Sequence, residues 1–123
     1  MTDVRVLIVD DQEPFRRAMA AVVDETDGFV VAATAASGEE SVTAAAEHSP
    51  DLVLMDVNLP GIDGMEAARQ IRAAGTGPLV MLLSTYDEDE LDYADSGAAA
   101  YVPKGLFGPE RLVQEWTAAV SAR

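Results

Sequence analysis

Cysteine is absent from this 123-residue chain, so neither a disulfide nor a thiolate-bound metal can form. Basic residues are scarce: eight Lys and Arg stand against 22 Asp and Glu, a formal charge of −14 at neutral pH. Nucleic-acid binding draws much of its affinity from neutralising phosphates, so no direct contact with DNA or RNA is expected. Long apolar runs are missing too. Segments of about five to eight residues fall short of the roughly 20 that a membrane-spanning helix needs. The start, Met1-Thr2-Asp3-Val4-Arg5, has neither the basic opening nor the apolar stretch of a secretion signal. A cytoplasmic chain without membrane association is the simplest expectation.

What is present suits one globular domain over residues 1–123: 49% hydrophobic and 24% charged residues, with no linker, low-complexity tract or internal repeat. The acidic surplus has two readings. It keeps a small domain soluble, or it gathers at a site that holds a divalent cation. Composition leaves both open, and position separates them.

Val4–Val9 is a short, β-branched apolar run that stops at Asp10-Asp11 and reads as a buried strand. Pro14 suits the first turn of a helix with Phe15, Ala18, Met19, Val22 and Val23 on its inner face. After the Asp27-Gly28 turn, a second strand covers Phe29–Ala33 and runs out near Ala35-Ala36. A helix beginning beyond Ser37-Gly38 ends at Ser49-Pro50. Leu52–Met55 is a third strand, ending at Asp56, and Asn58–Gly64 is rich in turn residues. A helix with Met65, Ala68 and Ile71 on one side follows. Leu79–Leu83 is a fourth strand ending at Ser84, and the acids from Asp87 to Glu90 open a short helix. Ala98–Val102 is a fifth strand ahead of Pro103-Lys104. From Pro109 a last helix turns Leu112, Val113, Trp116, Ala119 and Val120 inward.

Strands apolar on both faces, alternating five times with helices, imply a parallel α/β sheet covered on both sides. Ligands of such sheets bind at the carboxyl ends of the strands. Four of the five strands bring a polar or ionisable residue to that edge: Asp10-Asp11, Asp56, Ser84 and Lys104. Taken singly, each has an ordinary structural role, as turn residue, helix cap or surface lysine. Together they make a chemistry. Clustered carboxylates need a cation between them, and oxygen-only donors suit Mg²⁺. An amine and a hydroxyl beside that cation would hold an anion. A phosphoryl group satisfies a carboxylate nucleophile, metal, amine and hydroxyl at once.

The segments Val9-Asp10-Asp11, Leu54–Gly64, Leu83-Ser84-Thr85 and Tyr101-Val102-Pro103-Lys104 resemble, in order, the receiver domain of two-component response regulators. The resemblance covers essentially the whole chain. It implies a flavodoxin-like (βα)5 doubly wound sheet with strand order 2-1-3-4-5. It makes Asp56 the phosphoacceptor, supplied by a partner sensor histidine kinase or a small acyl phosphate. Asp11 would bind Mg²⁺ directly, Asp10 largely through water, Asp56 as the reacting group, and the Asn58 backbone carbonyl as a further ligand. Ser84 would turn to the phosphoryl oxygens, Lys104 would pair with them, and Tyr101 would act as an aromatic switch. The stretch Ser84–Glu90 looks most like the subfamily with a LuxR-type C-terminal helix-turn-helix. That DNA-binding effector lies outside these residues, so an excised receiver is favoured over a stand-alone one. Homodimer formation on phosphorylation is left open.

Pro103 precedes Lys104 and Gly105 follows it, so the cis Lys-Pro bond of many receivers is impossible there. The interval from Ser84 to Lys104 looks about two residues shorter than the subfamily pattern, which puts the surface around Asp92, Tyr93 and Asp95 in question. Two rival functions follow. A magnesium-dependent phosphohydrolase would need a second acid where Asn58 stands, and a cap domain. A pseudo-receiver would keep the fold as an interaction module without phosphorylation. Tyr86 is expected to shield the phosphoryl group from water. His48, before Ser49-Pro50 and far from the acidic edge, reads as a surface residue, not a phosphocarrier. Trp116 reads as core or as a partly buried anchor.

Overall fold

Residues alternate in and out along a strand, so a strand apolar at every position has to be covered on both faces. The computed structural model, which describes residues 3–75, 77–85 and 96–122, shows this arrangement. Its strands are β1 (Val4–Val9), β2 (Phe29–Ala35), β3 (Leu52–Asp56), β4 (Leu79–Ser84) and β5 (Ala100–Pro103). All pair in parallel, in the order β2-β1-β3-β4-β5. The helices among the described residues are α1 (Glu13–Asp24), α2 (Gly38–His48), α3 (Gly64–Ala73) and α4 (Pro109–Ser121).

Alternation divides the core in two. Leu7, Val9, Val53, Met55, Leu82 and Tyr101 face α2 and α3, where Ala45, Ala67, Ala68 and Ile71 close the layer. Val6, Ile8, Leu52, Leu54, Met81, Leu83 and Val102 face the other way, onto Met19 and Val23 of α1 and Leu112 of α4. Each fully buried leucine contributes about 1.5–3 kcal/mol by leaving water. Trp116 is a partly buried anchor, edge-on to Phe29 with ring centroids 6.2 Å apart.

Local chemistry sets the helix ends. Pro14 and Pro109 sit in first turns, where their missing N–H is no loss. The hydroxyl of Ser37 accepts from the Glu40 amide, and the carboxylate of Asp63 from the Glu66 amide, as N-caps do. Ser49 closes α2 in the left-handed region at φ 46°. None of the described helices is long and apolar enough to cross a membrane.

Three sequence expectations shift. The last strand starts at Ala100, not Ala98, because the Ser96 hydroxyl accepts from the Ala98 amide and holds a turn there. On α1, Met19 and Val23 are buried, but Phe15 stays 40% exposed on the rim of a groove. On α4 only Leu112 is buried; Val113 and Val120 are each 42% exposed. Helical spacing told which residues share a side, not how far round the covering reaches. The helix expected from Asp87, together with Tyr86, Asp92, Tyr93 and Asp95, lies outside the described residues. No peptide bond among the described residues is cis, in line with Pro103 preceding Lys104.

Candidate functional site

β1 ends by delivering Asp10 into the protein. Its amide joins the sheet through the Ala35 carbonyl at 3.2 Å, and its side chain is fully buried. One carboxylate oxygen accepts from the Gln12 amide at 2.9 Å and the other from the Lys104 ammonium at 2.9 Å. Arg16, one turn into α1, donates to the Asp10 carbonyl at 2.7 Å and fixes the strand end from outside. Asp11, the next residue, is exposed.

Asp56 ends β3 at the neighbouring position and is 3% exposed. Its Oδ1 accepts from the Asn58 amide at 3.2 Å, and its Oδ2 lies 3.5 Å from the Lys104 ammonium. The backbone beneath is held twice. The Val57 amide donates to the Leu83 carbonyl of β4, and the Gly64 amide to the Val57 carbonyl. Gly64 lies so close to the Asp56 carbonyl that any Cβ there would clash with backbone. The loop after Asp56 is tied to α2 as well: Glu39 accepts from the Ile62 amide at 3.5 Å and packs on Gly61, whose φ of 74° favours glycine.

One carboxylate oxygen each from Asp10, Asp11 and Asp56 falls within 4.8 Å of the others. A single lysine ammonium serves these three carboxyl groups. Burial acts most strongly on Asp56. Its carboxyl is pushed above the ordinary carboxylate value, first because it is buried and then because Asp10 is near; Lys104 and the Asn58 amide pull the other way. A cage of hard oxygens with unbalanced negative charge fits a hard divalent cation such as Mg²⁺.

The strand-end residues named from sequence thus converge at one edge. Ser84 closes β4 one residue beyond Leu83, which pairs with Asp56, and it is fully buried. Lys104 begins a 3-10 turn (Lys104–Leu106) directly after β5. Asn58 is exposed in the loop beyond Asp56. Tyr101 stands apart, 3% exposed, inside the layer of α2 and α3. His48 closes α2 and is exposed. Sequence reasoning missed three contributors. Arg16 carried no signal beyond its spacing from the acids, and Gly64 stood only as a turn residue closing the Leu54–Gly64 segment. Helical spacing places Phe15 on the inner face of α1, yet its ring lies under the Lys104 ammonium, 4.1 Å from ring centroid to nitrogen.

Residues 6–117 match the family described as the response regulator receiver domain. The chain is 39% identical over 113 residues to the response regulator GacA of Pseudomonas viridiflava, covering 90% of this chain and 52% of that protein. It is 38% identical over 104 residues to a protein-glutamate methylesterase/protein-glutamine glutaminase of Alkalilimnicola ehrlichii, covering 82% of this chain but 27% of the enzyme. Among solved structures, a LuxR-family two-component response regulator from Aurantimonas sp. SI85-9A1 superposes with a TM-score of 0.87 at 31% identity. That match covers 99% of this chain and 88% of the other. The chain therefore spans about half the length of GacA and about a quarter of the methylesterase.

Proposed function

This chain belongs to the response regulator receiver domain family, and on that premise we propose that Asp56 is its phosphoacceptor and residues 1–123 its receiver unit. The observation that carries this is the meeting of Asp10, Asp11 and Asp56 within 4.8 Å, with Lys104 at 2.9 and 3.5 Å from two of them. The pseudo-receiver alternative has no use for such a set, and nothing observed favours it. The phosphohydrolase alternative still lacks a second acid at Asn58.

In the proposed reaction Asp56 Oδ attacks the phosphorus of a kinase phosphohistidine. An O–P bond forms as the P–N bond breaks, and the electron pair leaves on the imidazole, which takes a proton from water. With acetyl phosphate as donor, the leaving group is acetate. Asp10, Asp11, Asp56 and the Asn58 backbone carbonyl would hold Mg²⁺, which when bound offsets charge on the phosphoryl oxygens. Lys104, within reach of Asp56, pairs with those oxygens as the acid becomes an acyl phosphate. Ser84, at the adjacent strand end, hydrogen-bonds another, and Tyr101 reports the change as the switch residue.

The domain passes this state to an effector and does not turn over a substrate itself. The match to the Aurantimonas regulator favours a LuxR-type DNA-binding effector, hence transcriptional control in the cytoplasm. The match to the methylesterase shows that receivers also accompany enzymes. Incubation with acetyl phosphate and Mg²⁺ is expected to add one phosphoryl mass to the intact protein and none to the Asp56→Asn variant. An unchanged wild-type mass would sink the assignment.

A further inference from the structure

Lys104 poses a positioning problem. It stands on a short 3-10 turn after a strand at the sheet edge, with Gly105 and Leu106 exposed beside it. Its ammonium rides on a flexible four-carbon stem, so the backbone alone does not fix the charge. Asp10 and Asp56 draw it from one side, at 2.9 and 3.5 Å. Both attractions change when Asp56 takes up a phosphoryl group. Something independent of the acids is needed to keep the amine in place.

Phe15 meets that need. Its ring presents a face to the ammonium with 4.1 Å between the nitrogen and the ring centroid, inside the range where the ring quadrupole attracts a cation. Lys104 and Phe15 both line an apolar groove of about 160 Å³ whose walls include Met19, Val22, Leu83 and Phe107. The Lys104 side chain is only 14% exposed, and partial removal from water strengthens the contact. Phe15 itself is 40% exposed, so packing alone accounts for only part of its value at this place. The neighbouring Arg16 holds the Asp10 carbonyl at 2.7 Å. Adjacent residues in the first turn of α1 thus brace the anionic and cationic partners separately.

We propose that Phe15 is a positioning residue for phosphoryl transfer: through its ring face it holds the Lys104 ammonium where the phosphoryl oxygens arrive. The proposal rests on the reading of Asp56 as phosphoacceptor. The competing explanation, a groove-filling side chain, depends on shape and apolarity, whereas a cation–π contact depends on the electron density of the ring. Fluorination separates them, because it drains the quadrupole at nearly constant shape.

The experiment follows the rate of phosphoryl mass gain from acetyl phosphate with Mg²⁺ in excess. It compares wild type, Phe15→Leu, Phe15→Trp, and protein carrying mono-, di- or trifluorophenylalanine at position 15. Loss of the ring in Phe15→Leu is expected to slow phosphorylation about fivefold, and Phe15→Trp to keep or raise the rate. Each added fluorine is expected to lower the rate further while the thermal midpoint stays constant. In wild type the Lys104 Hε protons should show an upfield ring-current shift that Phe15→Leu removes. A trifluorinated protein as fast as wild type overturns the role of Phe15 and leaves the Asp56 assignment standing. Absence of the ring-current shift does the same. A wild type that takes up no phosphoryl group overturns both together.

Discussion

At the amino end of the sheet, Arg5 ties β1 to the end of α2 and to Asp51. Its amide donates to the Asp51 carboxylate at 2.9 Å, and the Asp51 amide returns a bond to the Arg5 carbonyl. Its guanidinium donates to the carbonyls of His48 and Ser49, at 2.6 and 2.9 Å, where α2 ends. At the carboxyl end, Asp10 and Asp56 are buried beside Asp11 with one lysine among them. Both ends use the same strands and the same backbone pattern. The first is arranged for stability; the second carries a charge conflict that an incoming cation and phosphoryl group would relieve. Stability and reactivity have been placed some five residues apart along β1, between Arg5 and Asp10.

Substitutions at the two ends should therefore differ in sign as well as size. The largest effect is expected for Gly64→Ala, which forces a Cβ against the Asp56 carbonyl and should destabilise the fold by about 3 kcal/mol in urea unfolding. A near-neutral result would show the reactive end to be slack in its backbone, and break the contrast. Arg5→Met keeps the stem and removes the guanidinium from two helix-end carbonyls. A loss of about 1.5 kcal/mol is expected by the same measurement. Mg²⁺ at ten times its dissociation constant should stabilise wild type by about 1.4 kcal/mol. That gain, read as a rise in thermal midpoint, should shrink in Asp11→Asn and be untouched by Arg5→Met.

The smallest effect is the most diagnostic. Burial holds the Asp56 carboxyl above its ordinary value, so ionising it works against the folded state. Its contribution is most favourable below the ordinary carboxylate range and is lost as pH rises through the raised value. Asp56→Asn should then gain about 1 kcal/mol at neutral pH without Mg²⁺. The gain should fade on acidification below that range. Equal stability of the two proteins at every pH would show that Lys104 already balances the site.

How much of this could be read from the sequence follows from the physics of each signal. Strands buried on both faces announce themselves as uninterrupted apolar runs, so β1, β3 and β4 were legible almost to the residue. The start of β5 was not, because Ala98-Ala99-Ala100 has no side chain that prefers a strand, and a hydroxyl at Ser96 decides the matter. Helix faces were legible in phase but not in depth, as Phe15, Val113 and Val120 show. The acids of the site were readable because strand ends register at one edge. Its supports, Arg16, Gly64 and the ring of Phe15, were not. Their roles arise from approach in space, and no short motif encodes a carbonyl beneath a glycine or an amine above a ring.

The close seat of Gly64 on Asp56 has a mechanical consequence. The Asp56 backbone is clamped, with Val57 bonded to β4 on one side and Gly64 pressed against it on the other. A stiff mount does not absorb a load applied to it; it passes the load to the most compliant part in contact. Beside the site, the least crowded backbone is in the Lys104–Leu106 turn, where a Cβ on Gly105 would meet no atom within 4 Å. On the proposed role of Asp56, adding a phosphoryl group there would act like pushing on an anvil. The recoil would fall on the exposed Gly105-Leu106 backbone, while β3 and the ammonium over Phe15 hold their places.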